Sequence, residues 1–396
     1  MNSYPRLVLK KGRDRAVRNR HPWVFSGAVE SKPQAALGAI VQVHASDGQL
    51  LGYGHYAPNA TLICRMFHFG QEGINVDAGF WVGKLAAAKD YRHQVMGTEI
   101  TAGLTDGYRL VHAEGDGLPG VVIDLYGDAA SVQLRSAGAQ SLQILICGFL
   151  EDECGARHIY VSTDKKEGKE DLSGNWIKGE PQARTFLENG LKFWVDIAQG
   201  QKTGFFLDQR ENRVWVGKHA GGAKILNAFS YSGAFSSYAL QGGAKHVTSV
   251  DISASATEYA TQNVALNIPD SADRHLALKA DCFQYLKDMP DGAFDQIILD
   301  PPAFTKHAST VDKAARGYKE INLKAIQKIA PGGLVYTFSC SQHISPDLFR
   351  KIVFGAAADA GRDVRIVRLL SQSPDHPINI YHPEGEYLKG LMLQVV

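Results

Sequence analysis

Residues 224–251, KILNAFSYSGAFSSYALQGGAKHVTSVD, contain an apolar run, a glycine turn, a short helical stretch and a second apolar run ending on an acid. That is the form of a β-α-β unit. The same alternation continues through HLALKA, CFQYLKDM, FDQIILD, a long helical segment, GGLVYTFSC and PDLFRKIVFGAAADAG. Two last runs, DVRIVRLL and KGLMLQVV, flank a proline-rich connection and can pair as a terminal hairpin. The pattern predicts an α/β fold with an open, mainly parallel sheet covered by helices on both faces. Such sheets bind ligands outside the carboxyl ends of their strands, so the residues that close each run are the candidate functional ones.

The first run closes in Asn227-Ala-Phe229-Ser230-Tyr-Ser-Gly233 and lacks the G-x-G-x-x-G that seats a pyrophosphate on a helix amino terminus. A nicotinamide or flavin dinucleotide is disfavoured. The second run closes on Asp251, whose carboxylate can accept from both hydroxyls of a ribose. The third closes on Asp281, which can accept from an exocyclic amine such as that of adenine. A helix cap is the alternative for each acid, although Ser253 and the Ser255-Ala-Thr-Glu258 box already offer caps after Asp251. A ribose acceptor, an adenine acceptor and no phosphate loop together fit S-adenosylmethionine. The fourth run closes in Asp300-Pro301-Pro302-Ala-Phe304, where two prolines stiffen the chain and fix Asp300 as an acceptor for the edge of a planar base. The fifth closes in Ser339-Cys340-Ser341-Gln-His343. A free cysteine is usually a small buried hydrophobe, but one at the ligand edge amid polar residues is a candidate nucleophile.

Outward from this half the rhythm changes. HPWVFSGAV, GAIVQVHASDG and LLGYGHYAP are short apolar runs cut by glycine and proline, as in a small β-barrel or meander, and residues 1–75 read as one module. Its first twenty residues carry Arg6, Lys10, Lys11, Arg13, Arg15, Arg18 and Arg20 against a single acid, Asp14. Such a basic arm either contacts phosphates, gaining from counterion release, or is a solvated face or frayed terminus. Residues 76–188, with a helical stretch from Gly79 to about Val95 and then YRLVHAEGDGLPGVVIDLYGD, ASVQLRS and HIYVSTD, read as a mixed α/β middle domain; KKEGKEDLSGN within it reads as an exposed loop. Residues 189–396 are the α/β domain. Three domains suit 396 residues at roughly 150 per domain.

A net charge of +1 with 44% hydrophobic and 21% charged residues excludes a disordered chain, a collagen-like repeat and a uniformly basic coat. The five cysteines are scattered, without C-x-x-C or zinc spacing, so neither a disulfide framework nor a metal site is expected. MNSYPRLVLKKGRDR interrupts any signal-like apolar core with basic residues, and no run approaches a membrane span, so a cytoplasmic protein with no membrane partner is expected.

Taken together, the motifs resemble those of bacterial class I methyltransferases that make 5-methylcytosine in 23S ribosomal RNA, the large-subunit methyltransferase I type. HPWVFSGAV and the basic arm look like that family's RNA-binding PUA domain, and EGDGLPGVVIDLYGD like its middle domain. QKTGFFLDQR, NAFSYSGAF, DPPAF, RGYKEIN, FSCSQH, DHP and PEGEYLKG match its catalytic domain in order. The resemblance implies a PUA-type barrel, a mixed middle domain and a Rossmann-like methyltransferase domain. S-adenosylmethionine is the implied donor, with no metal, and 23S ribosomal RNA the implied partner; a homodimer is left open. It implies that Lys202, Asp208, Arg210, Asn227, Phe229, Ser230, Gly233, Asp251, Asp281, Asp300 and Pro301 surround the donor and the base, and that Cys340 attacks the base while Asp300 steadies it. Arg13, Arg15, Arg18, Arg316 and Lys319 are the candidate RNA contacts, with Tyr318 and Asn322 on the same helix; a solvated helix face is the alternative. His376 and Glu384 are expected at the terminal hairpin turn.

A second cysteine often follows the fourth-strand prolines in RNA cytosine-5 methyltransferases, and here Ala303 and Phe304 stand there. That leaves the group that removes the C5 proton unassigned. Two rivals remain: a methyltransferase acting on a base amine, because DPPAF also resembles the motif that holds such an amine, and a noncatalytic RNA-binding protein with a relic donor pocket.

Overall fold

Seven apolar runs in the second half of the chain form one sheet, in the order His275–Lys279, His246–Asp251, Lys224–Ala228, Gln296–Leu299, Leu334–Ser339, Lys389–Val395 and Val364–Ser371. The first five are parallel, and Lys389–Val395 runs antiparallel between Leu334–Ser339 and Val364–Ser371. The expected terminal hairpin is therefore the antiparallel edge of the sheet. The strand order reverses at Lys224–Ala228, the first strand in sequence and the switch point where ligands bind in such sheets. Helices Ala234–Gln241, Ala254–Asn267, Cys282–Asp288, Val311–Lys328 and Pro346–Ala360 follow successive strands. Ser253, Asp281 and Ser345 each cap the helix after them by accepting a backbone N–H.

The structure, a computed structural model, describes residues 4–164, 172–180, 182–198, 200, 204–305 and 307–396. They divide into two compact units. The unit just described comprises Leu187–Trp194, Phe206–Ser373 and Glu386–Val396. Beneath its sheet lies a buried ion pair: Arg213 Nε and Nη2 meet Glu188 Oε1 and Oε2 at 2.7 and 2.5 Å, and Tyr238 Oη donates to Glu188 Oε1 at 3.1 Å. Breaking such a pair from one side costs about 3–5 kcal/mol, because the remaining charge stays buried.

The other unit comprises residues 1–186, Val195–Phe205 and Pro374–Gly385. A six-stranded sheet spans Arg6–Leu9 to Leu62–Phe69, and its apolar face encloses Leu7, Leu9, Val41, Val43, Ile63 and Met66. A five-stranded sheet follows, in the order Leu172–Lys178, His158–Asp164, Ala129–Leu134, Val121–Tyr126 and Gly107–His112. The loop expected at KKEGKEDLSGN is thus partly wrong: Leu172–Lys178 is an edge strand paired with His158–Asp164, and residues 165–171 lie outside the described residues. Charge and glycine suggested solvent, and an edge strand tolerates both because one side of its backbone faces no neighbour. His376 and Glu384 lie in the connection between the last two strands, but in a segment that belongs to this unit. That segment is fastened by Arg92 Nη2 on the Asp375 carbonyl at 2.7 Å and by the Asp375 carboxylate on the Arg109 N–H at 2.9 Å.

Candidate active site

The strand Lys224–Ala228 runs out beside Val250 and Leu299, its register partners, and the chain then turns sharply. Phe229 and Tyr231 take left-handed conformations, with φ of 60° and 44°. Neither is glycine, so the turn costs roughly 1–2 kcal/mol per residue and must be held from outside. Asp251 Oδ2 accepts the Tyr231 N–H at 3.0 Å, and the Val250 carbonyl accepts the Ser230 N–H at 3.0 Å. Cys282 Sγ accepts the Phe229 N–H at 3.2 Å and donates back to the Val250 carbonyl at 3.4 Å. Gly233, at φ 70°, closes the turn; a Cβ there would also sit 2.6 Å from Ala260 Cα, so packing of the next helix demands glycine independently.

The candidate donor residues divide by what they already hold. Asp251 spends one lone pair of each oxygen on the N–H groups of Tyr231 and Ser253, and a carboxylate has about four such sites, so accepting capacity remains. Asp281 caps its helix through Oδ1, on the Gln284 N–H at 2.9 Å, and is exposed. Ser230 Oγ is buried with no hydrogen-bond partner and so retains its full capacity toward a ligand. Asn227 faces inward instead. Its Nδ2 donates to Ser236 Oγ at 2.9 Å, and the chain continues through Ser249 Oγ to His275 Nε2, a ring that burial pushes down to about 4 and so keeps neutral.

Asp208 and Arg210 are buried in the same unit. Tyr387 Oη donates to Asp208 Oδ2 at 2.6 Å, and Ser373 donates through N–H and hydroxyl to the Asp208 carbonyl. Arg210 Nε lies 3.5 Å from Glu211 Oε1. No side chain caps the helix that Arg210 opens. Phe206 stacks edge-on against Tyr231 of the strained turn, and Lys202 lies outside the described residues.

The fourth and fifth strands end side by side, Leu299 opposite Thr337, which sets Asp300 and buried Pro301 on the same edge as the donor turn and next to the segment carrying Cys340. Behind them runs a line of rings. Phe229 contacts Phe283, Phe283 contacts Phe304, and Phe304 lies 4.5 Å from Tyr318. The aromatic residue of DPPAF is thereby packed against protein rings.

Cys340 is half-buried between two fully buried serines. Tyr318 Oη meets Ser341 Oγ at 2.9 Å, the Ser341 N–H donates to Ser339 Oγ at 3.3 Å, and Lys389 Nζ donates to the Ser341 carbonyl at 2.8 Å. Burial pushes the other four cysteines upward: Cys64 and Cys282 to about 12, Cys154 to about 11, and Cys147 in the same direction.

Four of the expected RNA-side residues have protein partners or are buried. Tyr318 and Asn322 are fully buried, because helix Val311–Lys328 turns 314, 318, 321, 322 and 325 to the core at helical spacing; this corrects their expected place on an RNA-facing side. Lys319 is held by Asp359 at 2.7 Å, while Arg316 on the same helix is exposed. In the N-terminal arm Arg13, Arg15 and Arg18 are exposed, and Arg18 is also paired with Asp14 at 2.5 Å and with Gln49 at 2.6 Å. The arm is built into strand Arg6–Leu9 and helix Arg15–Arg18, so its description as a frayed terminus does not hold. Lys389 was not singled out from sequence. Its partner Ser341 lies about fifty residues upstream, and only the pairing of Leu334–Ser339 with Lys389–Val395 brings the two together. Among the described residues, no group of three His, Cys, Asp or Glu is placed to hold a metal, and no helix is long and apolar enough to cross a membrane.

Comparison with known proteins agrees with this geometry. Residues 116–387 match the model of an S-adenosylmethionine-dependent methyltransferase family, and residues 7–69 match a PUA-like domain. A protein of Pseudoalteromonas atlantica named ribosomal RNA large subunit methyltransferase I is 43% identical, over 99% of each chain. One of the same name from Vibrio cholerae is 42% identical over 99% of this chain and all of that one. Among solved structures, a methyltransferase from Streptococcus mutans superposes with a TM-score of 0.82 at 21% identity, over 98% of this chain and all of that one. A methyltransferase solved with S-adenosylhomocysteine gives a TM-score of 0.83 at the same identity and coverage, a likeness of fold. The donor is S-adenosylmethionine, and the strand ends suit it: a strained turn held open by Asp251, a buried Ser230 hydroxyl without a partner, and no phosphate loop. Switch-point turn, family model and full-length relatives agree, and this chain belongs to the ribosomal RNA large subunit methyltransferase I family of S-adenosylmethionine-dependent methyltransferases.

Proposed function

We propose that this protein methylates C5 of a cytosine in 23S ribosomal RNA, in the cytoplasm, with Cys340 forming a transient bond to C6 of the ring. The observation that carries the proposal is the placement of Cys340 on the strand end next to Asp300 and its prolines. The relatives carry ribosomal RNA of the large subunit in their names, which supports that RNA as substrate. In this reading residues 1–75 are an RNA-binding barrel, 76–188 a mixed middle domain and 189–396 the methyl-transfer domain.

When bound, S-adenosylmethionine supplies a methyl group activated by its sulfonium. Asp251, Ser230 and Asp281 hold it, with Asp208, Arg210, Phe229 and Gly233 shaping the turn around it. Cytosine C5 is too weak a nucleophile to take that methyl unaided. Addition of the Cys340 thiolate to C6 converts C5=C6 into an enamine whose C5 is nucleophilic. Asp300 hydrogen-bonds the base edge, and a proton delivered to N3 across that hydrogen bond balances the charge the thiolate brings, aided by exclusion of water. After methylation a base removes the C5 proton, the C5=C6 bond re-forms and the Cys340 thiolate leaves. Arg13, Arg15 and Arg316, exposed, take the RNA phosphates.

Mass mapping of ribosomal RNA fragments from cells lacking the protein tests this. Restoration of one methylated cytosine by the intact chain, and not by Cys340→Ala, is expected. Amine methylation needs no thiol, so full activity of Cys340→Ala would replace the C5 mechanism with that one.

A further inference from the structure

The last strand begins with a lysine that the methyl-transfer scheme above does not use. Lys389 sits opposite Ser339 in the antiparallel register, and the residue is only 5% exposed. Nζ donates to the Ser341 carbonyl at 2.8 Å and to the Tyr387 carbonyl at 2.7 Å. An ammonium has three N–H donors, so one is left. Among the described residues no carboxylate ion-pairs with it. A buried ammonium without an ion-pair partner is costly.

The groups around it narrow the choice of anion. Glu386, three residues earlier in the chain, and Cys340, next to the Ser341 that Nζ holds, both favour the charged form of Lys389. Burial lowers Lys389 to about 8, against these two groups, so it is mainly cationic at neutral pH. From helix Val311–Lys328, Tyr318 also feels Cys340, and its hydroxyl engages the neighbouring Ser341. Burial raises Tyr318, which therefore stays neutral and contributes a hydrogen bond without charge. Ser341 is consequently gripped at three points: its hydroxyl by Tyr318, its N–H by Ser339 and its carbonyl by Lys389.

We propose that Lys389 is the positioning residue of the nucleophile: its ammonium fixes the segment after Cys340 and stabilises the Cys340 thiolate as the counter-charge of its own burial. This rests on the reading of Cys340 as the nucleophile. Lys389 moves no proton to substrate and acts only through the cysteine.

The test reads the thiol directly, without RNA or methyl donor. The rate of Cys340 carbamidomethylation by iodoacetamide is followed against pH in the full-length chain by peptide mass spectrometry, for the unmodified protein, Lys389→Gln and Lys389→Arg. Lys389→Gln keeps a hydrogen-bond donor and removes the charge, and its inflection is expected to rise by about one pH unit, roughly a tenfold loss of rate at pH 7. Lys389→Arg, which keeps the charge, is expected to stay near the parent curve. Coincident curves for Lys389→Gln and the parent overturn the proposal. A reciprocal measurement needs no variant: capping Cys340 with methyl methanethiosulfonate removes the anion, so Lys389 should react faster with acetic anhydride at neutral pH, and an unchanged rate overturns the proposal equally. Failure of the cytosine-C5 reading appears separately, as methylation by Cys340→Ala.

Discussion

Cys282 and Cys340 follow strands of the same sheet and face opposite chemistry. Cys282 opens the helix after the third strand and holds the turn at Phe229, accepting its N–H and donating to the Val250 carbonyl, and burial with the carboxylates of Asp251 and Asp281 nearby keeps it a thiol. Cys340 lies at the end of the fifth strand with an ammonium gripping the next residue. Carboxylates flank the cysteine that holds a turn, and an ammonium grips the residue after the proposed nucleophile. Sequence position alone did not decide this, because both cysteines close an apolar run.

The comparison breaks most sharply on removal of each sulfur. Cys340→Ala is expected to lower methyl transfer at least about a thousandfold, as loss of a nucleophile does elsewhere, with donor binding retained; radiolabel incorporation and calorimetry with S-adenosylhomocysteine measure the two. Asp251→Ala should weaken S-adenosylhomocysteine binding by roughly tenfold to a hundredfold, because it frees the Tyr231 N–H and lets the strained turn relax. Undiminished affinity in that calorimetry would remove Asp251 from the donor site. Cys282→Ala should cost about 1–2 kcal/mol in a urea titration, the price of an unsatisfied Phe229 N–H, while methyl transfer continues. Loss of activity at unchanged stability would give Cys282 a chemical role and collapse the contrast. The smallest effect belongs to the barrel: Arg13→Gln with Arg15→Gln should flatten the salt dependence of RNA binding by roughly 1.4 in log–log slope, the value for two contacts on single-stranded RNA. An unchanged slope would return the arm to a solvated face.

Much of the fold was readable locally. The strands and helices of the second half follow from apolar runs alternating with helical periodicity, and the strand ends named the sites to inspect. Where reading failed, the cause was a partner distant in sequence. Tyr318 and Asn322, expected on an RNA-facing side from their place in the segment after DPPAF, are buried by their helix, Tyr318 against Ser341 beside Cys340. Asn227 closes a strand as expected and then faces the core, since alternate residues of a strand point to opposite faces of the sheet and Ser236 waits on the inner one. Leu172–Lys178 is a strand only because His158–Asp164 offers it an edge.

The sequence by itself determined the β/α order, the absence of a phosphate loop at the first turn, and the acids and cysteine at the strand ends, because periodicity and turn chemistry are local. Only the tertiary structure decided what surrounds those residues: which lone pairs of Asp251 are already committed, which serine hydroxyl is left without a partner, and which cysteine precedes a residue held by a lysine. Those are properties of burial and of strand register, and the antiparallel pairing that lays Lys389 against the Cys340 strand joins residues about fifty positions apart.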